Sequence, residues 1–261
     1  MIDAHVHFWD GPLGWMTPEM ARIARPFGPE DLRPSLAANG IDRVVLVQTQ
    51  SSVDETQRFL ALAAADDLVG GVVGWVDLTS AHVADTIAEL CESRYLAGVR
   101  HQVHDEADPD WLLRADVRRG LRAVQKAGLA YDLLVRARDL PAALRIARAF
   151  PELRLVIDHA AKPPIASGEL EPWAARLAPF AELEQVFCKV SGLVTEADWK
   201  RWRPEDLRPY RERLLGWFGE DRLLFGSDWP VCLLAASYEE VVEAYDAARF
   251  GGNAAGVYGL S

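Results

Sequence analysis

Two histidines, His5 and His7, stand one residue apart in "MIDAHVHFWD", in a chain that has only six, and Asp3 sits two positions ahead of them. A β-strand puts residues i, i+2 and i+4 on one face, so Asp3, His5 and His7 are expected to point the same way. Paired imidazoles can ligate a divalent metal, or polarise a carbonyl and activate water without one. Asp3, deeper in the strand, reads as a buried carboxylate that accepts hydrogen bonds, because a buried charge must be paired. Two later stretches also end an apolar run in polar residues: "LRLVIDHAAKPP" in Asp158 and His159, and "RLLFGSDWPVC" in Ser227 and Asp228. His5, His7, His159 and Asp228 therefore form a candidate cluster of three imidazoles and one carboxylate. A lone strand-end histidine is more often a satisfied core residue; four such residues at one end of one fold are a different matter.

Such a cluster needs a scaffold that delivers strand ends to one rim. Eight short apolar runs recur along the chain: "MIDAHVHF", "DRVVLVQTQ", "GGVVGWVDL", "LAGVRHQ", "LAYDLLV", "LRLVIDHA", "QVFCKVSGL" and "RLLFGSD". Each is followed by a segment with helical spacing, the alternation of parallel β/α construction. Most runs are rich in Val, Ile and Leu on both faces, as strands covered on both sides must be. Eight strand–helix units predict a (β/α)8 TIM barrel, whose active sites lie at the C-terminal ends of the strands. The segment from Gly11 to Pro34, rich in Pro and Gly, is expected to be a loop or lid with a short helix across the barrel mouth.

The chain has 261 residues, half of them apolar, close to the roughly 250 typical of such a barrel. No low-complexity linker divides it, so one domain over 1–261 is expected. The 39 acidic residues exceed the 28 basic ones by 11, which disfavours a nucleic-acid partner. Cys91, Cys188 and Cys232 show no pairing pattern and read as packing residues of a reducing compartment, with a catalytic thiol at Cys188 as the minor alternative. With no export signal and no apolar run of about 18 residues, a cytoplasmic enzyme without a membrane anchor is expected. Homo-oligomerisation is left open.

The stretches "DAHVHFWD", "GVRH", "YDLLV", "VIDHAAKP", "KVSGLVTEADW" and "LLFGSDWPVC" together resemble the amidohydrolase superfamily, in its branch of sugar-lactone hydrolases and 2-pyrone-4,6-dicarboxylate lactonases. The resemblance runs from Asp3 to about Leu260. It implies an amidohydrolase-type barrel and hydrolysis of a lactone of the L-fucono- or L-rhamnono-lactone type. It also implies that His5, His7 and His159 lie around the substrate carbonyl, that Asp228 is the general base, and that Arg100 binds substrate. The alternative within the superfamily is a metal-dependent decarboxylase; a catalytically silent binding protein on the same barrel is the outsider.

The chain departs from the wider superfamily pattern. Strand four ends in Arg100 and His101 where many metal-dependent members carry a lysine or glutamate, and strand five offers Tyr131 and Asp132 in place of a histidine. A two-metal centre therefore lacks its bridge: at most one divalent ion, zinc first, would sit on His5, His7, His159 and Asp228, and a metal-free enzyme is the other option. Gln48, Gln50, Trp75, His101, Gln102, Asp132 and Trp229, near the expected strand ends, are candidates for a wall that binds a polyhydroxylated ring through amides and aromatic faces. Half of them are expected to serve packing instead. His82 and His104 read as structural, and Lys162 and Lys189 as salt-bridge partners.

Overall fold

The computed structural model describes residues 1–260. The apolar runs form eight parallel strands that pair in sequence order: β1 (Ile2–Val6), β2 (Arg43–Val47), β3 (Val69–Gly74), β4 (Leu96–His101), β5 (Ala130–Leu133), β6 (Leu155–Ile157), β7 (Val186–Val190) and β8 (Leu223–Phe225). A parallel bridge between Val6 and Trp229 joins the end of β8 to β1. There the Asp228 amide donates to the His5 carbonyl at 2.9 Å, and the His7 amide donates to the Trp229 carbonyl at 2.7 Å. The architecture is the (β/α)8 barrel that the alternation predicts.

Alternation along the strands sorts the core into two layers. Val45, Val47, Val73, Ala130, Val156 and Leu224 pack inside the barrel with Ala4. Residues of opposite parity, such as Val44, Leu46, Leu133, Leu155 and Ile157, face outward into the layer covered by helices. The helices are α1 (Pro29–Ala38), α2 (Val53–Ala65), α3 (Val83–Leu90), α4 (Ala115–Lys126), α5 (Leu140–Ala149), α6 (Trp173–Leu177), α7 (Pro204–Phe218), α8 (Tyr238–Tyr245), α9 (Ala247–Phe250) and α10 (Asn253–Tyr258). Ser52 caps α2 by accepting from the Glu55 amide, and Ser237 forms a capping box with Glu240 on α8. Among the described residues no helix is long and apolar enough to cross a membrane.

Three departures from the expected pattern have local causes. The segment of helical spacing after β6, "EPWAARLAPFAEL", is α-helical only to Leu177 and continues as a 3-10 turn, Ala178–Glu182, where Pro179 removes a backbone donor. The segment of helical spacing after β8, "SYEEVVEAYDAARF", breaks into α8 and α9 at Asp246, which takes a left-handed conformation with φ 57°. The third is α10, which the Gly-rich "GGNAAGVYG" did not announce; it exists because Ala254, Val257 and Tyr258 close the bottom of the barrel interior. After β1, the expected lid covers Asp10 to Gly28, shorter than predicted because α1 already starts at Pro29. It contains a 3-10 turn, Pro18–Ile23, and its ends are tied by the antiparallel bridge between Trp9 and Phe27.

Strand β1 also corrects the expectation that Asp3, His5 and His7 share one face. A register shift between Asp3 and Val6 inserts a bulge, so Ala4 packs inside the barrel and His5 follows it inward. Asp3 instead points to the outer layer. It accepts from the Tyr238 hydroxyl at 2.9 Å and from the Ser227 amide at 2.9 Å, tying α8 and the end of β8 to β1. Burial pushes its carboxyl up to about 6, against the lowering pull of those hydrogen bonds.

Candidate active site

The bulge and the strand ends bring the predicted cluster together. Asp228 Oδ1 lies 3.8 Å from His5 Nε2, 3.5 Å from His7 Nε2 and 4.0 Å from His159 Nε2. All four side chains are almost wholly buried. Two of the positions require unusual backbone. Asp228 has φ 60°, and His159 begins a run of four left-handed residues through Lys162, with φ between 50° and 58°. Left-handed non-glycine residues cost roughly 1–2 kcal/mol each, and such strain collects where a side chain must be aimed. Glycines leave room for the rings. A Cβ on Gly192 would lie 2.6 Å from His159 Nδ1, and one on Gly226 would lie 2.7 Å from His5 Cβ.

Each imidazole has an orienting partner. His7 Nδ1 is 2.7 Å from the Val47 carbonyl, which can only accept, so a neutral His7 presents the lone pair of Nε2 to the cluster. His159 Nδ1 is 2.9 Å from the Ser191 hydroxyl; when that hydroxyl donates, His159 carries its proton on Nε2, facing Asp228. Burial holds His159 well below the usual histidine range, and His5 and Lys162 add to the effect. Burial and then Lys189 do the same to His5, so both rings are neutral at pH 7. Burial works to raise the Asp228 carboxyl, yet the neighbouring His159 and His7 rings and the Lys162 charge more than offset it. Its pKa lies below the ordinary aspartate value, leaving it ionised.

Beneath the cluster, the barrel interior holds a charged network that the sequence only hinted at. Lys189, fully buried, contacts Asp132 Oδ2 at 2.6 Å, Asp158 Oδ1 at 2.9 Å and His5 Nδ1 at 3.1 Å. Asp132 also accepts from the Tyr258 hydroxyl of α10 at 2.9 Å. Arg100 donates to Asp158 Oδ2 at 3.0 Å and to the Gln48 carbonyl at 2.6 Å, and its Nη1 lies 3.2 Å from His5 Nε2.

The donor set suits one divalent ion. The Nε2 atoms of His5 and His7 are 3.2 Å apart, and Asp228 Oδ1 lies 3.5–3.8 Å from them. Ligands at about 2.0–2.1 Å in a tetrahedron lie about 3.3–3.4 Å apart. A water bonding two acceptors at about 2.8 Å would hold them about 4.5 Å apart, so the spacing excludes a bridging water; it fits a metal, or a direct hydrogen bond from His5 Nε2–H to His7 Nε2 with His5 Nδ1 accepting from Lys189. His5 can join such a set only as the tautomer protonated on Nδ1, which turns that proton toward Asp158 Oδ1, 3.4 Å away, and gives up the contacts of Lys189 with Nδ1 and of Arg100 with Nε2. His5, Asp158 and His159 form a second candidate group that shares His5.

The cluster opens into a cavity of about 300 Å³. His7, Arg100, His159 and Asp228 line it together with Gln102, but the other predicted wall residues do not. Asp132 is buried below with Lys189, on the interior face of β5. His101 follows the inward Arg100 and so turns outward, where it stacks on Trp111 at 4.3 Å, accepts from the Trp75 indole at 3.0 Å and meets Glu106 at 2.8 Å. Trp75 thus belongs to that outer packing. Gln48 is fully buried and serves Arg100 and Gln102. Gln50 sits beside Glu55, and Trp229 packs against Phe8 and Phe27. Cys188 faces the outer layer, and burial pushes its thiol up, away from reactivity.

Conversely, His104, Arg136 and Lys162, which sequence reasoning passed over or read as structural, line the cavity with Thr49, Trp15 and Met20. Lys162 Nζ is 2.8 Å from Glu196, and Arg136 is 3.8 Å from the same carboxylate. The usable signal for Lys162 was its place three residues beyond His159, just past a strand end. Arg136 had only its distance from β5 to recommend it.

The amidohydrolase family model matches residues 2–260. The chain is 43% identical over 244 residues to an L-fucono-1,5-lactonase of Burkholderia ambifaria, a match covering 91% of this chain and 82% of that protein. It is 40% identical to an L-fucono-1,5-lactonase of Burkholderia multivorans, covering 99% and 96% of the two. A crystal structure of an amidohydrolase from Burkholderia multivorans with bound zinc aligns at a TM-score of 0.94 with 40% identity, over 100% of this chain and 99% of that one.

Proposed function

The chain belongs to the amidohydrolase family, and from that premise we propose that it hydrolyses a sugar-acid lactone of the L-fucono- or L-rhamnono-lactone type to the hydroxy acid. The observation that carries this reading is an ionised carboxylate, Asp228, within 3.5–4.0 Å of three imidazole nitrogens at the mouth of one cavity. The two lactonase relatives supply the reaction class. The cavity volume, at the low end for ligand pockets, suits one monosaccharide-sized ring.

Lactone opening needs a positioned water, a group to take its proton and a donor for the oxyanion that develops. Asp228 takes the proton, since its carboxylate is ionised and partly shielded from solvent. His159 points its Nε2 proton toward the carbonyl oxygen and is kept in that tautomer by Ser191. His7, with its lone pair inward, orients the attacking water. Arg136, Lys162, Gln102 and His104 offer hydrogen bonds to ring hydroxyls. A divalent ion, zinc by the nitrogen and carboxylate donors, would be held by His5, His7 and Asp228; when bound, it supplies Lewis-acid polarisation and makes water more acidic.

A stereochemically complete panel of aldonolactones, read with a pH indicator beside carboxylated aromatics monitored for carbon dioxide, tests this proposal. Acid release from at least one sugar lactone is expected. Carbon dioxide release without acid from any lactone would transfer the site to decarboxylation, an alternative that no feature of the site favours.

A further inference from the structure

The cavity wall divides into two chemistries according to strand order. Toward β4–β6 it presents five hydrogen-bonding groups, Gln102, His104, Asp105, Arg136 and Lys162, with Leu134 as the one apolar residue among them. On the side where β8 meets β1, in the same lining as Asp228 and His7, it presents Trp15, Met20 and Val231. Met20 and Val231 belong to two 3-10 turns, Pro18–Ile23 and Val231–Leu234, that pack on each other across the β8–β1 seam. Trp15 is 39% exposed, the one large exposed apolar side chain among the described residues. It is nevertheless held in place. Its ring meets Trp9 edge-on at 5.9 Å, and the Trp9 indole is fixed by the Ile23 and Arg25 carbonyls at 3.1 and 2.8 Å.

Trp15, held against Trp9, forms with Met20 and Val231 an apolar strip on this side of the cavity, which an apolar part of a bound substrate can cover. The hydroxyls of a sugar lactone would be satisfied on the opposite wall. Resting on the lactonase reading above, we infer that Trp15, with Met20 and Val231, is the specificity-determining surface for the unsubstituted methyl end of a deoxy-sugar lactone. A terminal hydroxymethyl in the same place would set its hydroxyl against the apolar faces of Trp15, Met20 and Val231, which offer its proton no acceptor beyond the weak Met20 sulfur. Discrimination of one small group by an apolar pocket runs from about 10- to 200-fold. A partly open wall belongs at the lower end.

The test compares kcat/KM for L-fucono-lactone and L-galactono-lactone, which differ only in that methyl against hydroxymethyl, in the full-length protein and in Trp15→Ala, Trp15→Phe and Met20→Ala. The unsubstituted protein is expected to favour the deoxy lactone by about 10-fold. Trp15→Ala should reduce the preference below about 3-fold, mainly through KM for the deoxy substrate, and Trp15→Phe should retain it. An equal preference in all four proteins overturns the inference. So does a Trp15→Ala variant whose mass in light scattering changes while its preference stays, because Trp15 would then be a subunit contact. If the unsubstituted protein hydrolyses neither these nor any other lactone, the functional reading itself fails; if it hydrolyses lactones without the preference, only this inference does.

Discussion

Replacing Lys189 by methionine keeps most of the side-chain volume and removes one buried charge, which makes the cost computable. In the native barrel its ammonium lies 2.6 Å from Asp132 and 2.9 Å from Asp158, with all three groups fully buried. Asp158 keeps Arg100 in Lys189→Met, but Asp132 keeps only the neutral Tyr258 hydroxyl. Its carboxyl, which burial already pushes up to about 6 with Lys189 present, would rise further and be protonated in the folded state at pH 7. Protonating an aspartate whose unfolded pKa is about 3.9 costs about 4 kcal/mol at pH 7, of which the native protein, with this carboxyl at about 6, already bears about 3. The variant therefore loses about 1 kcal/mol more at Asp132, and the rest of its loss, within the roughly 3–5 kcal/mol for breaking a buried pair, comes from the Lys189 contacts that methionine cannot make. Against a total stability of about 5–15 kcal/mol, the variant stays folded or nearly so.

The sign of the pH dependence follows from the same group. With its folded pKa above its unfolded one, Asp132 of the variant binds its proton in the native state and loses it on unfolding. The deficit of Lys189→Met relative to the unsubstituted protein therefore shrinks, by at most about 1.4 kcal/mol per pH unit, from pH 7 to about pH 6, and levels off below it, where the native carboxyl also takes up its proton. Adding Asp132→Asn should recover about 2 kcal/mol or more, because the unpaired carboxyl is gone and the two substitutions are coupled. Urea unfolding followed by far-ultraviolet circular dichroism at pH 5, 6 and 7 measures all of this. A loss under about 1 kcal/mol at pH 7, or a loss that does not change with pH, would refute the assignment of Lys189 as the charge that holds the barrel interior together.

Four further outcomes are expected. Asp228→Asn should fold normally and lose at least about 100-fold in lactone turnover, measured by indicator assay; near-native turnover removes it as the base. Gly192→Ala should lower kcat/KM by about 100-fold by displacing the His159 ring, whose Nδ1 would lie 2.6 Å from the new methyl, and a variant with unchanged kinetics would mean that the ring position is irrelevant. Because the Asp228 pKa is depressed, the carboxylate stays ionised down to the acid side of the ordinary aspartate value, about 3.9. The acid limb of kcat/KM should therefore fall below that pH, and a limb near pH 6 would point to another base. Dialysis against a chelator should abolish activity and zinc should restore it; full turnover with no metal by elemental analysis dismisses the ion.

The barrel was legible in the chain because each strand is a short run buried on both faces and each helix repeats its apolar stripe, both local patterns. Legible for the same reason were His5, His7, His159 and Asp228 as strand-end residues. The wall was less so. Trp75, Gln48 and His101 sit within a residue or two of strand ends, like Arg100; parity turns His101 outward beside the inward Arg100, but it lapses past the strand ends, where Trp75, two residues beyond the inward Val73, joins the outer packing and Gln48, next to the inward Val47, still reaches Arg100. In β1 that parity is broken by a bulge, which turned Asp3 outward while His5 stayed inward. Lys162 and Arg136 reach the cavity on loops, where no period predicts direction.

What the sequence determined by itself is the order of alternating elements, and with it the end of the barrel at which polar strand-end residues gather. Tertiary structure alone decided the pairing inside: that Lys189 would meet Asp132 and Asp158, that α10 would seal the floor with Tyr258, and that an exposed Trp15 would be pinned over the seam between the first and last strands. Local periodicity depends on neighbours a few residues away. These contacts depend on barrel closure, which brings residues from opposite ends of the chain within hydrogen-bond distance.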